Sequence, residues 1–318
     1  MMMVKPSKLA LAIIAVTAVL AALPFLLRLP FITHIGVMVA LYTTLALSMN
    51  LMLRIGQISF AHGAFMGLGA YGSALFMMRL GLPFTLAFLG AALAVTLLAW
   101  LVGKLFLQIK GVYFVLLTFS FGEIVVLTFI EWVGLFGGSS GLTGVPRPSL
   151  FGYKIEGRDG FYLLALGLAV FAYTSVSAIY RSELGAVITS LDENEALTRS
   201  LGIDSRRYRL LTFCFSAFLA ACAGAIYGHY LTLITPEDYG FWVPVNLVVL
   251  NVIGGITHPI GAVLGALLLV PLPEFLRDAK QYQILLYGIL LIVFLLFMPD
   301  GLYGVFKKLK RSKKEEQE

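Results

Sequence analysis

Long apolar runs, broken at short intervals by charged residues or glycine-rich turns, make up nearly the whole chain, and one stretch departs from that pattern. About 20 apolar residues cross a bilayer as a helix. Runs of that length predict spans at residues 9–28, 34–53, 57–78, 82–103, 111–135, 160–180, 209–231 and 281–303. A further uncharged stretch over residues 239–273 is long enough for two short segments. Gly254, Gly255 and Pro259 interrupt it, which splits it into 243–256 and 259–277, either two spans or a re-entrant hairpin. The expected fold is an all-α, polytopic transmembrane helix bundle. It has about ten membrane segments, one or two of them broken or re-entrant, in a single transmembrane domain over residues 1–318.

The departure is residues 181–209, an amphipathic segment between two spans. Asp192 followed three residues later by Glu195 predicts a capping box that starts a short helix. Gly202 is placed to stop it, and Asp204 to cap the helix that re-enters the membrane. Leu197 and Leu201 form an i, i+4 apolar pair, while Glu193 and Arg199 stay polar. A plain connector lying on the membrane surface is usually much shorter. The segment therefore reads as a coupling helix, gripped by a soluble ATPase on another subunit.

Composition agrees with a membrane protein: 59% of residues are hydrophobic and 13% charged, against about 25% charged in soluble domains. The net charge of +6 does not imply nucleic acid, because Lys307, Lys308, Lys310, Arg311, Lys313 and Lys314 crowd the C-terminus just after the last apolar run. Positive residues there orient a membrane protein. The first apolar run follows Lys5 and Lys8 and resembles a signal peptide, but its length and the lack of a clear cleavage site favour a retained span. With both termini cytoplasmic, sixteen of the twenty-three Lys and Arg residues face the cytoplasm, including those of 181–209. The largest outer loop is then 136–159, where Pro146 and Pro148 forbid a continuing helix. Cys214 and Cys222 are eight residues apart on one helix, about 12 Å of rise, so they do not pair.

Chemistry-bearing motifs are absent. Gly103-Lys104 is followed by Leu105, so no phosphate-binding loop exists, and neither a serine elbow nor metal-ligand spacing occurs. No catalytic residue, no metal and no cofactor is expected on this chain. What stands out is small-residue packing. Ser59, Gly63 and Gly67 recur every four residues in 56–70, which lets helices approach closely. Residues 254–266 overlay the same stretch without a gap: Gly56/Gly254, Ile58/Ile256, Gly63/Gly261, Ala64/Ala262 and Gly67/Gly265 coincide, with Ser59 opposite Thr257. A true repeat would mark paired broken helices flanking a transport path. Intramembrane polar residues are few, and they supply the path candidates Ser59, His62, Glu123, Asn246 and Asn251. For the asparagines and for His62 and His229, interhelical hydrogen bonding is the first expectation. Glu123 lies mid-span and serves either the path, a subunit contact or a structural partner.

Six stretches together carry a resemblance. They are S-M-N-L-M-L-R-I-G-Q-I-S-F-A-H-G-A-F-M-G-L-G-A-Y (48–71), K-G-V-Y-F-V-L-L-T-F-S-F-G-E-I (110–124), G-G-S-S-G-L-T-G-V-P (137–146), E-N-E-A-L-T-R-S-L-G-I-D-S-R-R-Y-R-L-L-T-F (193–213), V-I-G-G-I-T-H-P-I-G-A-V-L-G-A (252–266) and M-P-D-G-L-Y-G (298–304). In this order they resemble the LivM-type permease subunits of branched-chain amino acid ABC importers. The resemblance implies a pore subunit in the inner membrane and four kinds of partner. These are a second, related permease, two cytoplasmic ATP-binding subunits, a periplasmic amino-acid-binding protein and membrane lipid. By position, Asp192 to Gly202 is similar to the loop that contacts the ATPase, although Leu197 follows Glu195-Ala196 and Gly202 falls one place late. Urea or amide importers have similar permeases. An ion-coupled secondary transporter using Glu123 is the alternative from a different class.

Overall fold

The computed structural model describes residues 29–150, 153–155, 157–276, 282–297 and 301–304. The expected first span at 9–28 and the basic C-terminal cluster lie outside the described residues. In chain order the helices are α1 (Pro30–Arg54), α2 (His62–Leu80), α3 (Phe84–Phe106), α4 (Val112–Glu131) and the short α5 (Val133–Phe136). Two-residue strands β1 (Leu142–Thr143), β2 (Ser149–Leu150) and β3 (Tyr153–Lys154) follow. Then come α6 (Arg158–Arg181), α7 (Glu183–Glu193), α8 (Glu195–Ser200), α9 (Ser205–Leu231) and β4 (Leu233–Ile234). A 3-10 turn (Pro236–Tyr239) leads to α10 (Trp242–Gly254), α11 (Pro259–Leu269), α12 (Leu272–Phe275) and α13 (Gln283–Phe297).

Five of these helices (α1, α3, α4, α6 and α9) are long and apolar enough to cross a membrane, and the bent pair Pro236–Gly254 plus Pro259–Phe275 makes six if it counts as one. The expected span 57–78 becomes helical only at His62, after a non-helical bend over residues 55–61. The chain therefore turns back through Gly56 (φ +70°), a conformation glycine adopts without strain.

Helix burial sorts centre from periphery. The most apolar windows of α1 and α9 are 72% buried, against 33% and 28% for α3 and α4. The seam between α2 and α9 explains the tight centre: Gly69 lies against Ala221, and Gly224 against the Met66 carbonyl, leaving no room for a Cβ at either glycine. On α3 the pattern is the reverse of a soluble helix. Small residues such as Ala87, Ala91, Ala99 and Gly103 face inward, while Leu86, Leu89, Leu93, Leu97, Leu101 and Leu105 face out. Hydrocarbon solvates those leucines as well as a core would, so close packing selects small residues for the inside.

The two ends of the bundle differ. At one end, contacts gather around the 136–159 connection: β1 pairs with β4, Arg79 donates to the Gly134 carbonyl just before it (2.9 Å), and Arg158 to the Pro30 carbonyl (3.2 Å). At the other end lie α7 and α8. The segment after β4 leaves the first end, and at residues 255–258 it bends by 111°. That apex sits beside Asn50, near the C-terminus of α1, and the return arm ends where Phe275 meets Phe31 at the N-terminus of α1. Both arms thus open at the 136–159 end. Within the expected stretch 243–277, the described residues through 276 form one hairpin with its apex near the α7–α8 end.

Candidate functional site

At the α7–α8 end, apolar spacing dictates the local fold. Gly185, Ile188 and Leu191 turn one face of α7 inward, and that periodicity carries the helix through Glu193. Asp192 is therefore inside α7 and does not cap α8, contrary to the sequence expectation. Asn194 takes the role: its side chain accepts from the Leu197 N–H at 3.0 Å, as its preference for N-cap positions allows. The other two signals hold. Gly202 (φ +82°) ends α8, and Asp204 accepts from the Arg206 and Arg207 amides to start α9.

Glu195, at the first position of α8, becomes the anchor of the segment. Its carboxylate accepts from Lys110 in the α3–α4 connection, from Arg209 on α9 (2.8 Å), and meets Arg199 one turn on (2.7 Å). Burial alone would raise this carboxyl, but the hydrogen bond from Lys110 and the charges of Arg209, Lys110 and Arg199 outweigh it and hold it below its ordinary value. Thr198 is buried and donates to the Ser190 and Asn194 carbonyls. Glu195 and Thr198 fix the inner side of α8 in this way. Leu197 and Leu201 project outward, 60% and 73% exposed, with Glu193 and Arg199 exposed beside them. A short helix and its C-cap thus expose two leucines from a charge-locked base. Asp192 Oδ1 lies against Gly56, which links the segment to the bend before α2.

The path candidates separate into two groups. Asn251 is fully buried and donates to the Ala46 and Leu247 carbonyls (3.0 and 2.8 Å). It also accepts from Asn50 (2.9 Å), which donates to the Ile256 carbonyl at the hairpin apex as well. Tyr180 donates to Asn50 Oδ1 at 2.7 Å. One asparagine pair therefore ties α1, α6, α10 and the apex together. Ser59 and His62 come together in the 55–61 bend, where the His62 Nδ1 hydrogen donates to the Ser59 carbonyl (3.1 Å). His62 Nε2, Ser59 Oγ and both amide atoms of Gln57 are buried without a protein partner. Buried groups of this kind call for water or a ligand. Glu123 and Asn246 are half-buried, and no hydrogen bond of either is seen among the described residues. Gly122, next to Glu123, faces the Phe60 carbonyl of the bend.

The glycines singled out for packing lie at close backbone approaches. Gly63 and Gly67 admit Tyr239 and Gly240 against α2, while Gly254, Gly261 and Gly265 let α10 and α11 meet backbone to backbone, with Pro259 opening α11. In both stretches of the sequence overlay, a non-helical bend precedes a glycine-lined helix. Sequence reasoning missed Asn50, Lys110, Asn194 and Arg209. Asn50 was visible as the one amide within the apolar run 34–53. The other three are ordinary polar residues whose importance depends on what folds beside them.

Known proteins match this chain along most of its length. The family described as "Branched-chain amino acid transport system / permease component" matches residues 31–298. The high-affinity branched-chain amino acid transport system permease protein LivM of Escherichia coli K12 is 30% identical over 292 residues, covering 84% of this chain and 69% of that protein. The LivH permease of the same organism is 29% identical over 275 residues, covering 79% and 86%. BraD of Pseudomonas aeruginosa is 36% identical over 146 residues, 45% of each chain. No solved structure matches significantly. A multi-pass helical bundle with a broken hairpin, together with a match along most of its length, establishes that the chain belongs to the family of branched-chain amino acid transport permease components.

Proposed function

We propose that the chain is the permease subunit of an ATP-driven importer, forming with a second, related permease the membrane path for branched-chain or other hydrophobic amino acids. The observation that carries this reading is the exposed Leu197/Leu201 pair on a helix locked from behind by Glu195. A self-contained carrier has no use for such a surface, and hydrolysis of ATP belongs to two separate cytoplasmic subunits that receive it. The 136–159 region, where β1 pairs with β4 and His229 meets the Pro146 carbonyl (2.7 Å), suits docking of a periplasmic amino-acid-binding protein. The chain itself then has no catalytic residue and no cofactor, and acts by switching between two states of different affinity for its partners. A urea or amide cargo is the nearest variation on the same machine.

Glu123 favours one alternative strongly enough to state. A half-buried carboxylate at mid-span with no hydrogen bond or ion pair among the described residues is expensive unless it faces water or another subunit, and an ion-coupled carrier would use it as a relay. Affinity purification from native membranes, followed by leucine uptake in proteoliposomes, separates the two. The importer reading expects two ATPases and a second permease to co-purify, with ATP-dependent uptake that survives Glu123→Gln. Purification of the chain alone, with pH-driven uptake lost in Glu123→Gln, would establish the carrier instead.

A further inference from the structure

A cleft of about 190 Å³ opens at the α7–α8 end of the bundle. Arg54 and Arg181 line it from the last turns of α1 and α6, with Ser177 on α6, Thr189 on α7, and Thr257 and His258 at the hairpin apex. No carboxylate belongs to the lining. Among the described residues none lies within 4.0 Å of either guanidinium, because every ion pair there converges on Glu195. Arg54 is held by a single hydrogen bond to Thr189 Oγ1 (3.2 Å) and by the Tyr180 ring below it, 5.7 Å from the centroid. Its charge is positioned without being neutralised.

Thr189 Oγ1 is already committed, donating to the Gly185 carbonyl (2.9 Å), but two other lining groups can donate. His258 Nδ1 accepts from the Ile260 N–H at 3.1 Å, which leaves the imidazole proton on Nε2 as a donor. Ser177 Oγ is buried without a partner. Arginine in the last turn of a helix is explained singly by the helix dipole and by membrane orientation. Those effects do not bring two arginines, a histidine and an unpaired hydroxyl around one void. The void is smaller than the ~300–1,000 Å³ of sites for drug-sized ligands, so it suits a small anion.

We propose that this cleft binds a phosphate group, supplied by an anionic phospholipid headgroup or by free phosphate, which bridges Arg54 and Arg181 and fastens the hairpin apex to the ends of α1 and α6. The proposal does not depend on which solute the chain transports. Guanidinium is matched to this ligand, since its fork geometry holds phosphate oxygens bidentately.

The test uses the full-length chain in nanodiscs of phosphatidylcholine with phosphatidylglycerol, read by native mass spectrometry for retained lipid. In parallel, delipidated chain in detergent is titrated with inorganic phosphate and followed by thermal unfolding. The wild type should retain phosphatidylglycerol, or be stabilised by phosphate, and Arg54→Gln with Arg181→Gln should weaken that response about ten-fold or more, the scale of lost charge-assisted hydrogen bonds. Arg79→Gln, at the opposite end of the bundle, should behave as wild type. Lipid retention without a phosphate response identifies the headgroup as the source, and the converse identifies free phosphate. Arg181→Gln alone removes an exposed side chain with no ion pair among the described residues, so it leaves folding intact. If the wild type and Arg181→Gln show no difference in either arm, the site does not exist.

Discussion

Asn251 shows how much a single polar residue inside a membrane bundle depends on its partner. Its amide was conspicuous in an apolar run, but Asn50, 201 residues away in sequence, could not be paired with it from the sequence. Replacing one member leaves the other's amide short of one partner, at a cost of about 1–3 kcal/mol that is not incurred again when the second is replaced too. Asn251→Leu is therefore expected to lower the detergent unfolding temperature more than the Asn50→Leu/Asn251→Leu double variant does relative to Asn50→Leu. Strictly additive effects in the double-mutant cycle would show that the two amides do not depend on each other. A similar contrast applies to glycine. Gly254→Ala would put its Cβ against the Gly261 carbonyl and force α10 from α11, while Gly134, with nothing within 4 Å, should accept alanine freely. Folded yield in membranes reads the difference, and equal yields would refute the backbone contact.

At the scale of elements, α8 is a six-residue helix far too short to persist by propensity. Its anchoring comes from Glu195. Removing that carboxylate should cost between the ~1 kcal/mol of an exposed pair and the ~3–5 kcal/mol of a buried one, because Arg209 is buried while Lys110 and Arg199 stand in solvent. The carboxyl sits below its ordinary value near 4.5 when folded. Its contribution is thus complete above that value and is lost as pH falls through the lower, folded one. Hydrogen exchange over 194–202 should be slow and constant from pH 8 to pH 6 after correction for intrinsic rates, and faster throughout in Glu195→Gln. Unchanged protection in Glu195→Gln would remove the anchor. The misplaced cap has a plain cause: the capping-box rule weighs only residues 192 and 195, while the inward face formed by Gly185, Ile188 and Leu191 carries α7 past Asp192 to Glu193.

For the whole molecule, the apolar runs made the bundle legible because hydrocarbon leaves helices as nearly the only way to satisfy a backbone. The same physics hid the hairpin. Runs of equal hydropathy do not say whether a chain crosses or turns back, and only the contacts of the apex with Asn50 and of Phe275 with Phe31 show that it returns. The 181–209 segment stood out for the opposite reason, as the one stretch where leucine spacing and charge departed from hydrocarbon. Its outward leucines are the centre of the functional account. The most direct test is leucine uptake by the assembled importer carrying Leu197→Asp, with membrane insertion and subunit recovery checked alongside. The account expects the variant to insert and fold normally, since Leu197 is exposed, yet to lose uptake and transport-coupled ATP hydrolysis. Uptake at the wild-type rate would contradict the assignment of α8 as the surface through which the ATPase acts.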